Sequence, residues 1–371
     1  MAPLNGIDIL FKKRRFTMGT ARKNESMSVV GKRVYVGIDV HKESWQVTVR
    51  SEGEEIFNGR IPGQYPLLKR LLDRYQGSPM KVAYEAGPFG FWLSDKLLED
   101  HIEVIVTPPS LIPIESGNRV KTDKRDSRKL ALLLESNMLK KVYVLTPEER
   151  QHRDLLRTRR QIVDHRKDVA RQIKSKLLFY GIVSPFPTTH YWSLKYIQWI
   201  KALRFDTDYL KESFHFLIDL YEYLTRQIAR INRKVVLLCR EEKYSNRIKL
   251  LCTAPGIGRL TAIEILVELQ DVSRFESAEE IASYMGLTPS EYSTGEKTRQ
   301  GRITRCGNTR VRTYLVESTW VLIKKDLALR AKYLKIKNAR GGKRATIAIA
   351  RKFIIIIRRM LLDNTPYRMA A

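Results

Sequence analysis

Cysteine is scarce in this sequence: three residues, Cys239, Cys252 and Cys306, in a chain of 371. Their spacing gives no disulfide framework, and with only six histidines there is no Cys/His set of zinc type. A reduced, cytosolic setting fits. Long apolar runs are also missing. Phe353-Ile354-Ile355-Ile356-Ile357 is cut short by Arg358-Arg359, far below the ~20 residues of a spanning helix, so it reads as core and no membrane partner is expected. Acids are the third shortage. Asp and Glu number 40 against 68 Lys and Arg, which leaves a formal net charge of +28. With a pI near 10.0, the leading expectation is a polyanionic partner, nucleic acid first. The length suits two or three domains, each able to bury its own core.

Residues 1–32 read as a flexible basic leader. The group Lys12-Lys13-Arg14-Arg15 is not followed by an apolar segment and a small-residue cleavage site, so it is not a signal peptide, and Met27 offers an alternative start.

Because acids are few, their positions carry information. Val34-Tyr35-Val36-Gly37-Ile38-Asp39-Val40 has the period of two of a strand, with Tyr35, Gly37 and Asp39 on one face. An ionised carboxylate in so apolar a strand needs a partner or a metal. Glu85 ends a second short strand, Val82 to Ala86, where Gly87 and Pro88 break it. Asp123 and Asp126 open a helix whose Leu130, Leu133 and Leu134 lie along the same stripe, so both aspartates point inward. Four carboxylates from two strand ends and a helix start suit a pair of hard divalent cations, which take oxygen ligands. Two such ions stabilise the attacking and leaving oxygens of a phosphate during strand cleavage. Taken singly, the same acids are also what a helix start or a turn selects.

Between residues 33 and 146 the order is three strands, helix, strand, helix, strand, helix, strand, the last strand being Val142-Tyr143-Val144. This α/β order predicts a mixed sheet covered by helices and resembles the ribonuclease H-like fold. Residues 147–245 change character: two long charged helices, Pro147 to about Tyr180 and Thr207 to about Glu242, flank a proline-containing break and a short helix. They are expected to form an antiparallel coiled-coil arm, either a solvated spacer or a contact between copies.

Residues 246–331 are expected to be mainly helical. Pro255-Gly256-Ile257-Gly258 precedes a helix, and a glycine turn there exposes backbone N–H groups to phosphate, as in helix-hairpin-helix motifs; Ala278 to Met285 would supply the second helix. The stretch Thr288 to Asn308 reads as a basic loop carrying Ser293, Thr294, Lys297, Arg299, Arg302 and Arg305, with Gly295, Gly301 and Gly307 at a six-residue step. Its arginines and backbone suit phosphate; its hydroxyls are weak nucleophiles unless activated. Residues 332–371 read as a basic linker, Lys332 to Gly342, and a terminal helix.

Taken together, Gly37-Ile38-Asp39 with Lys42, Tyr84-Glu85-Ala86, Thr122-Asp123-x-x-Asp126, Pro255-Gly256-Ile257-Gly258 and Ser293-Thr294-Gly295 resemble the DEDD-type insertion-sequence transposases, also known as bridge-RNA-guided recombinases. The resemblance runs from about Tyr35 to Ile323. It implies a RuvC-like domain, a coiled-coil arm and a C-terminal transposase domain with a catalytic serine. It implies magnesium, two ions, at Asp39, Glu85, Asp123 and Asp126. It further implies a phosphoserine link to DNA, a composite site between subunits of a dimer or tetramer, donor and target duplex DNA as substrates, and a structured guide RNA. The setting would be the bacterial cytoplasm, associated with the nucleoid. One departure stands out: counted back from Gly295, the serine of the pattern registers on Thr294, beside Ser293. Ser293, a primary and less hindered hydroxyl, is the preferred candidate and Thr294 the alternative. Two other functions use the same features: a metal-dependent endonuclease or junction resolvase with water as nucleophile, and a nucleic-acid-binding scaffold without chemistry.

Overall fold

A computed structural model describes residues 29–113, 123–294, 297–304 and 306–369, with the side chains of 291–300 outside the description. The chain divides into two compact units, residues 1–144 and 145–371.

In the first unit, strands β1 (Val34–Val40), β2 (Ser44–Ser51) and β3 (Glu54–Pro62) form a meander. After helix α1 (Tyr65–Leu72) come strand β4 (Met80–Glu85), helix α2 (Trp92–Glu99) and strand β5 (Glu103–Thr107), then helix α3 (Asp123–Glu135). The sheet order is β3-β2-β1-β4-β5, with β1 antiparallel to β2 and parallel to β4. This mixed sheet is consistent with a ribonuclease H-like domain. The alternation read from the sequence sorts the faces. Val34, Val36 and Ile38 are fully buried in one core with Leu68, Leu93 and Leu97. Each such burial stabilises by roughly 1.5–3 kcal/mol.

The opposite face takes α3, and Gly37 lets it come close. A Cβ at Gly37 would lie 2.3 Å from the Ser127 carbonyl oxygen and 2.4 Å from the Ala131 nitrogen. Only a residue without a side chain fits there. Polar clamps fix the helix in register. Ser127 and Thr48 share a buried hydroxyl hydrogen bond of 2.9 Å. Arg50 pairs with Glu135 at 2.7 Å, and Arg128 is bidentate to Glu55 at 2.6 Å.

Two expectations change in this unit. Residues 29–32 of the expected leader are docked: the Gly31 N–H donates to the Gly77 carbonyl, and the Ser78 hydroxyl to that of Val29. The rest of the leader, 1–28, lies outside the described residues. The expected strand at Val142-Tyr143-Val144 is irregular, joined to β5 by the Val142 N–H donating to the Val106 carbonyl at 2.7 Å. Thr146 caps the next helix and Pro147 opens it, which leaves too few residues for a ladder.

In the second unit, helices α4 (Pro147–Phe179), α5 (Leu194–Lys201) and α6 (Asp208–Leu238) precede α7 (Glu242–Leu251) and α8 (Arg259–Leu269). α4 opens with a capping box in which Thr146 and Glu149 satisfy each other's backbone N–H. α4 and α6 run antiparallel. Arg159 donates to Asn232 at 2.7 Å, Arg166 lies over Tyr221, and Lys176 reaches Ser213. Tyr191 stacks on Tyr196 and Trp192 meets Tyr196 edge-on at one end of this pair, and α5 brings Ile197 and Ile200 to the same core.

α8 is buried from Ala262 to Leu269. Around it lie α7, α9 (Ala278–Tyr284), a hairpin of β6 (Pro289–Thr294) and β7 (Lys297–Ile303), and helices α10 (Thr309–Lys325), α11 (Leu327–Arg340) and α12 (Gly342–Asp363). Three corrections arise here. The glycine turn joins α7 to α8, and α9 packs on α12 instead of completing that pair. The expected loop from Thr288 is an antiparallel hairpin, register Ser293 to Thr298, in which Tyr292, Thr294, Thr298 and Ile303 are residue types that favour strands. The expected linker Lys332 to Gly342 is helical. Its Ala, Leu, Lys and Arg are strong helix formers, Asp326 caps the start, and only Gly341, at φ 84°, breaks the chain between α11 and α12.

Candidate active site

Asp39 stands at the carboxyl end of the central strand β1, on the face that α3 covers. Ligand sites of open α/β sheets gather at such strand ends. Glu85 follows Tyr84 as Asp39 follows Ile38, and Ile38 and Tyr84 are partners across the parallel ladder. Asp39 and Glu85 therefore point to the same face from neighbouring strands. α3 delivers Asp123 and Asp126 in its first turn, held there by the clamps at Gly37, Ser127 and Glu135. The inward direction read from helical spacing is correct for Leu130, Leu133 and Leu134, which are buried, and both aspartates are half-buried.

Of the four acids, Asp39 and Asp123 meet most closely, and His41 joins them. One ligand atom from each of these three lies within 4.8 Å of the others. His41 Nε2 is 3.1 Å from Asp39 Oδ2 and 3.6 Å from Asp123 Oδ1. The Asp39 carboxyl is pushed above the usual aspartate range. Burial is the main cause, His41 opposes it, and the charges of Asp123 and Asp126 add to the rise. Asp126 thus shares the electrostatic environment, although only Asp39, His41 and Asp123 form the tight group among the described residues.

His41 and Arg60 were not singled out from sequence. His41 had a readable signal, since it lies two residues past Asp39, and the Trp45 indole N–H holds its carbonyl at 3.1 Å. Arg60 had none. Its place depends on two successive registers, Asp39 opposite Gln46 and Gln46 opposite Arg60, across a ladder that shifts at Val49/Arg50. That row brings the Arg60 guanidinium to 2.5 Å from Asp123 Oδ2.

This donor set fits a hard divalent cation: carboxylate oxygens and one imidazole nitrogen at a mouth that is partly open, with Asp39 18% and Asp123 40% exposed. His41 and Arg60 lie against these acids.

The other expected residues fall in the second unit. Gly256 is half-buried against α10: its φ is +88°, a Cβ there would lie 2.5 Å from the Ser318 carbonyl oxygen, and the Ser318 hydroxyl donates to the Gly256 carbonyl at 2.8 Å. Only a residue without a side chain fits there, and the expected phosphate contact at Gly256 concerns its backbone N–H. Gly258 is exposed, begins α8 and has no neighbour where a Cβ would stand. Ser293 and Thr294 end β6, and Lys297 and Arg299 lie on β7, with their side chains outside the described set. Arg302 is exposed, and Arg305 lies outside the described residues.

A second carboxylate cluster was not anticipated. Glu264 and Glu268 lie one turn apart on α8, both nearly inaccessible. Glu268 takes Arg157 in bidentate fashion at 2.9 and 3.0 Å, Arg153 at 3.4 Å, and the Asn308 amide at 2.9 Å. Burial alone would raise its carboxyl, but these partners hold it below the usual glutamate range. Glu264 accepts from the Tyr314 hydroxyl at 2.9 Å, and burial raises it. This network ties the start of α4 and the cap of α10 to the central helix.

Comparison with known proteins places both units. The family described as "Transposase IS116/IS110/IS902 family" matches residues 248–334, and a DEDD transposase family of the IS110 type matches residues 36–182. A putative transposase, y4qE, of Sinorhizobium fredii is 30% identical over 297 residues, covering 78% of this chain and 72% of that protein. The transposase for insertion sequence element IS1533 of Leptospira borgpetersenii is 29% identical over 247 residues, 65% and 70% of the two chains. A pilin gene-inverting protein of Moraxella bovis is 32% identical over 154 residues, 40% of this chain and 48% of that one. Among the described residues, no helix is long and apolar enough to cross a membrane.

Proposed function

The chain belongs to the IS110-type DEDD transposases of insertion sequences, and from that premise we propose that it cuts and rejoins DNA strands at the carboxylates gathered around Asp39. The observation that carries this reading is the meeting of Asp39, Asp123 and His41 within 4.8 Å at the end of the central strand. Asp39, Glu85, Asp123 and Asp126 are the residues that would hold magnesium, as two ions. Bound there, magnesium would stabilise charge on the attacking and leaving oxygens of the scissile phosphate. The chain's own part is positional. β1 and β4 present Asp39 and Glu85 side by side, α3 closes over them, and Arg60 releases Asp123 when a stronger cation arrives.

The finer chemistry we propose uses a hydroxyl of the hairpin, Ser293 first and Thr294 as the alternative. Its oxygen forms a bond to phosphorus, the bond from phosphorus to the 3′ oxygen breaks, and the hydroxyl proton ends on that 3′ oxygen. A new 3′-OH then attacks the phosphoserine and restores the free hydroxyl, so the bond energy is kept. Relatedness to a protein named for gene inversion supports rejoining over hydrolysis. Lys297, Arg299, Arg302 and Arg305 would face phosphates, and a structured RNA would pair with donor and target DNA. Copies would associate through the arm: on α6, Tyr209, Phe216, Leu220 and Tyr223 recur at heptad spacing and are 90%, 72%, 43% and 51% exposed. We also propose helix-hairpin-helix contacts at Gly258 and an association with the bacterial nucleoid.

The test uses duplexes carrying the junctions that flank the gene, incubated with the full chain and Mg²⁺. A protein–DNA adduct that survives denaturation, lost in Ser293→Ala and in Asp39→Asn, is expected. Loss only in Thr294→Ala moves the nucleophile to Thr294. Cleavage without any adduct replaces the hydroxyl by water and makes the protein a nuclease. Sequencing RNA that copurifies tests the guide.

A further inference from the structure

From Lys335 to Arg359, beyond the end of the family match at residue 334, the chain has nine Lys and Arg residues and neither Asp nor Glu. A run of this kind in a linker would be a diffuse charge. Here it is rigid. α11 is anchored by buried Leu329 and Tyr333, and α12 by Ile349, Phe353, Ile354 and Ile357 in the unit's main core. The turn between them exposes Lys335, Lys337, Arg340, Lys343 and Arg344, and among the described residues none of the five pairs with a carboxylate.

Helix electrostatics explains only part of this set. Lys337 and Arg340 sit in the last turn of α11, where a cation complements the dipole. Lys343 and Arg344 sit in the first turn of α12, where the dipole is positive, no acid is present and no side chain caps the helix. Their placement makes sense when an anion is bound across the turn. Tyr333, the aromatic of α11, is buried and offers no open face for single-stranded bases, and the half-exposed Trp320 of α10 packs edge-on against its ring. It also lacks the apolar face a membrane helix would insert, because the isoleucines of α12 are in the core. Lysine contacts are point charges suited to phosphate and indifferent to sequence.

We propose that the turn between α11 and α12 grips the phosphate backbone of duplex DNA without reading its sequence. The choice of DNA rests on the reading of the chain as a DNA transposase. The surface is additional to the residues of either family match and supplies affinity, not chemistry.

The experiment compares the full chain with K335A/K337A/K343A/R344A in binding to a 30-bp duplex at about 50 to 200 mM salt. Each lost phosphate contact should flatten the slope of log affinity against log salt by about 0.9, so a decrease of about 3.6 is expected for the four, with affinity down at least ~30-fold. The matched K335R/K337R/K343R variant should restore the slope. If the fourfold variant does not fold, K343A/R344A is used, with an expected decrease of about 1.8. An unchanged slope in a folded variant overturns the proposal, and so does a loss confined to an RNA duplex of the same sequence. Asp39→Asn separates the two readings. It should keep the wild-type slope while losing cleavage. A wild-type chain that binds no duplex DNA sinks the transposase reading, whereas one that cleaves normally with an indifferent turn sinks only this one.

Discussion

Asp39 at the end of β1 and Glu268 in the middle of α8 are both largely withdrawn from water, yet among the described residues only Glu268 is paired directly with arginines. Glu268 is 3% exposed at its side chain and has Arg157, Arg153 and Asn308 around it. Asp39 is 18% exposed and shares its surroundings with Asp123 and Asp126, with one imidazole and one arginine against them. Their carboxyls move in opposite directions, down at Glu268 and up at Asp39. The contrast separates two uses of a buried charge. Where the protein supplies the counter-charge, the carboxylate locks elements together; where carboxylates and an imidazole gather at a partly open mouth, the donor set suits a cation.

The contrast can be broken most sharply at Asp39. Asp39→Asn should reduce Mg²⁺-dependent strand cleavage at least ~10³-fold, a barrier increase of about 4 kcal/mol, with unfolding little changed. Equal losses of activity and fold would make Asp39 structural, like Glu268. The reciprocal change, Glu268→Ala, should cost about 3–5 kcal/mol in urea unfolding, because it strands Arg157 and Arg153. The pH dependence of this contribution has a fixed sign. Glu268 has a folded value below the unfolded one, so its stabilisation is present above the ordinary glutamate value of about 4.3 and is lost as pH falls through the lower folded value. The gap between wild type and Glu268→Gln should therefore close only in strong acid.

Gly37→Ala should have a smaller effect, about 1–3 kcal/mol, by pushing α3 off β1. If Asp123 depends on that approach, calorimetry of Mg²⁺ binding should weaken in step with the loss of stability. Arg60→Ala should change stability least, by under ~1 kcal/mol for an exposed pair. It should tighten divalent-ion binding, since Asp123 is no longer engaged. Weaker ion binding in Arg60→Ala would instead make the arginine a support for the site.

Much of the first unit was legible because strand alternation and helical spacing are local. Asp39, Asp123 and the leucines of α3 could be assigned to faces before any coordinates, and the structure puts them there. The irregular segment at Val142 and the helix at Lys332 were misjudged for a related reason. Three β-branched or aromatic residues look like a strand whether or not a ladder reaches them, and a dense basic run looks like solvent-exposed chain even when its residues are strong helix formers. Gly256 was legible as a turn residue, but its close approach to the backbone of α10 was not, because no neighbouring position in the sequence marks it.

What the sequence determined alone was the kind of partner and the period of each element. Net charge sums over residues regardless of their arrangement, and periodicity needs only neighbours a few positions apart. The tertiary structure decided which charges meet. Arg60 reaches Asp123 through two strand registers, and Glu268 finds Arg157 across 111 positions of chain. Such pairings depend on how far apart folded elements come to rest, which no local pattern encodes.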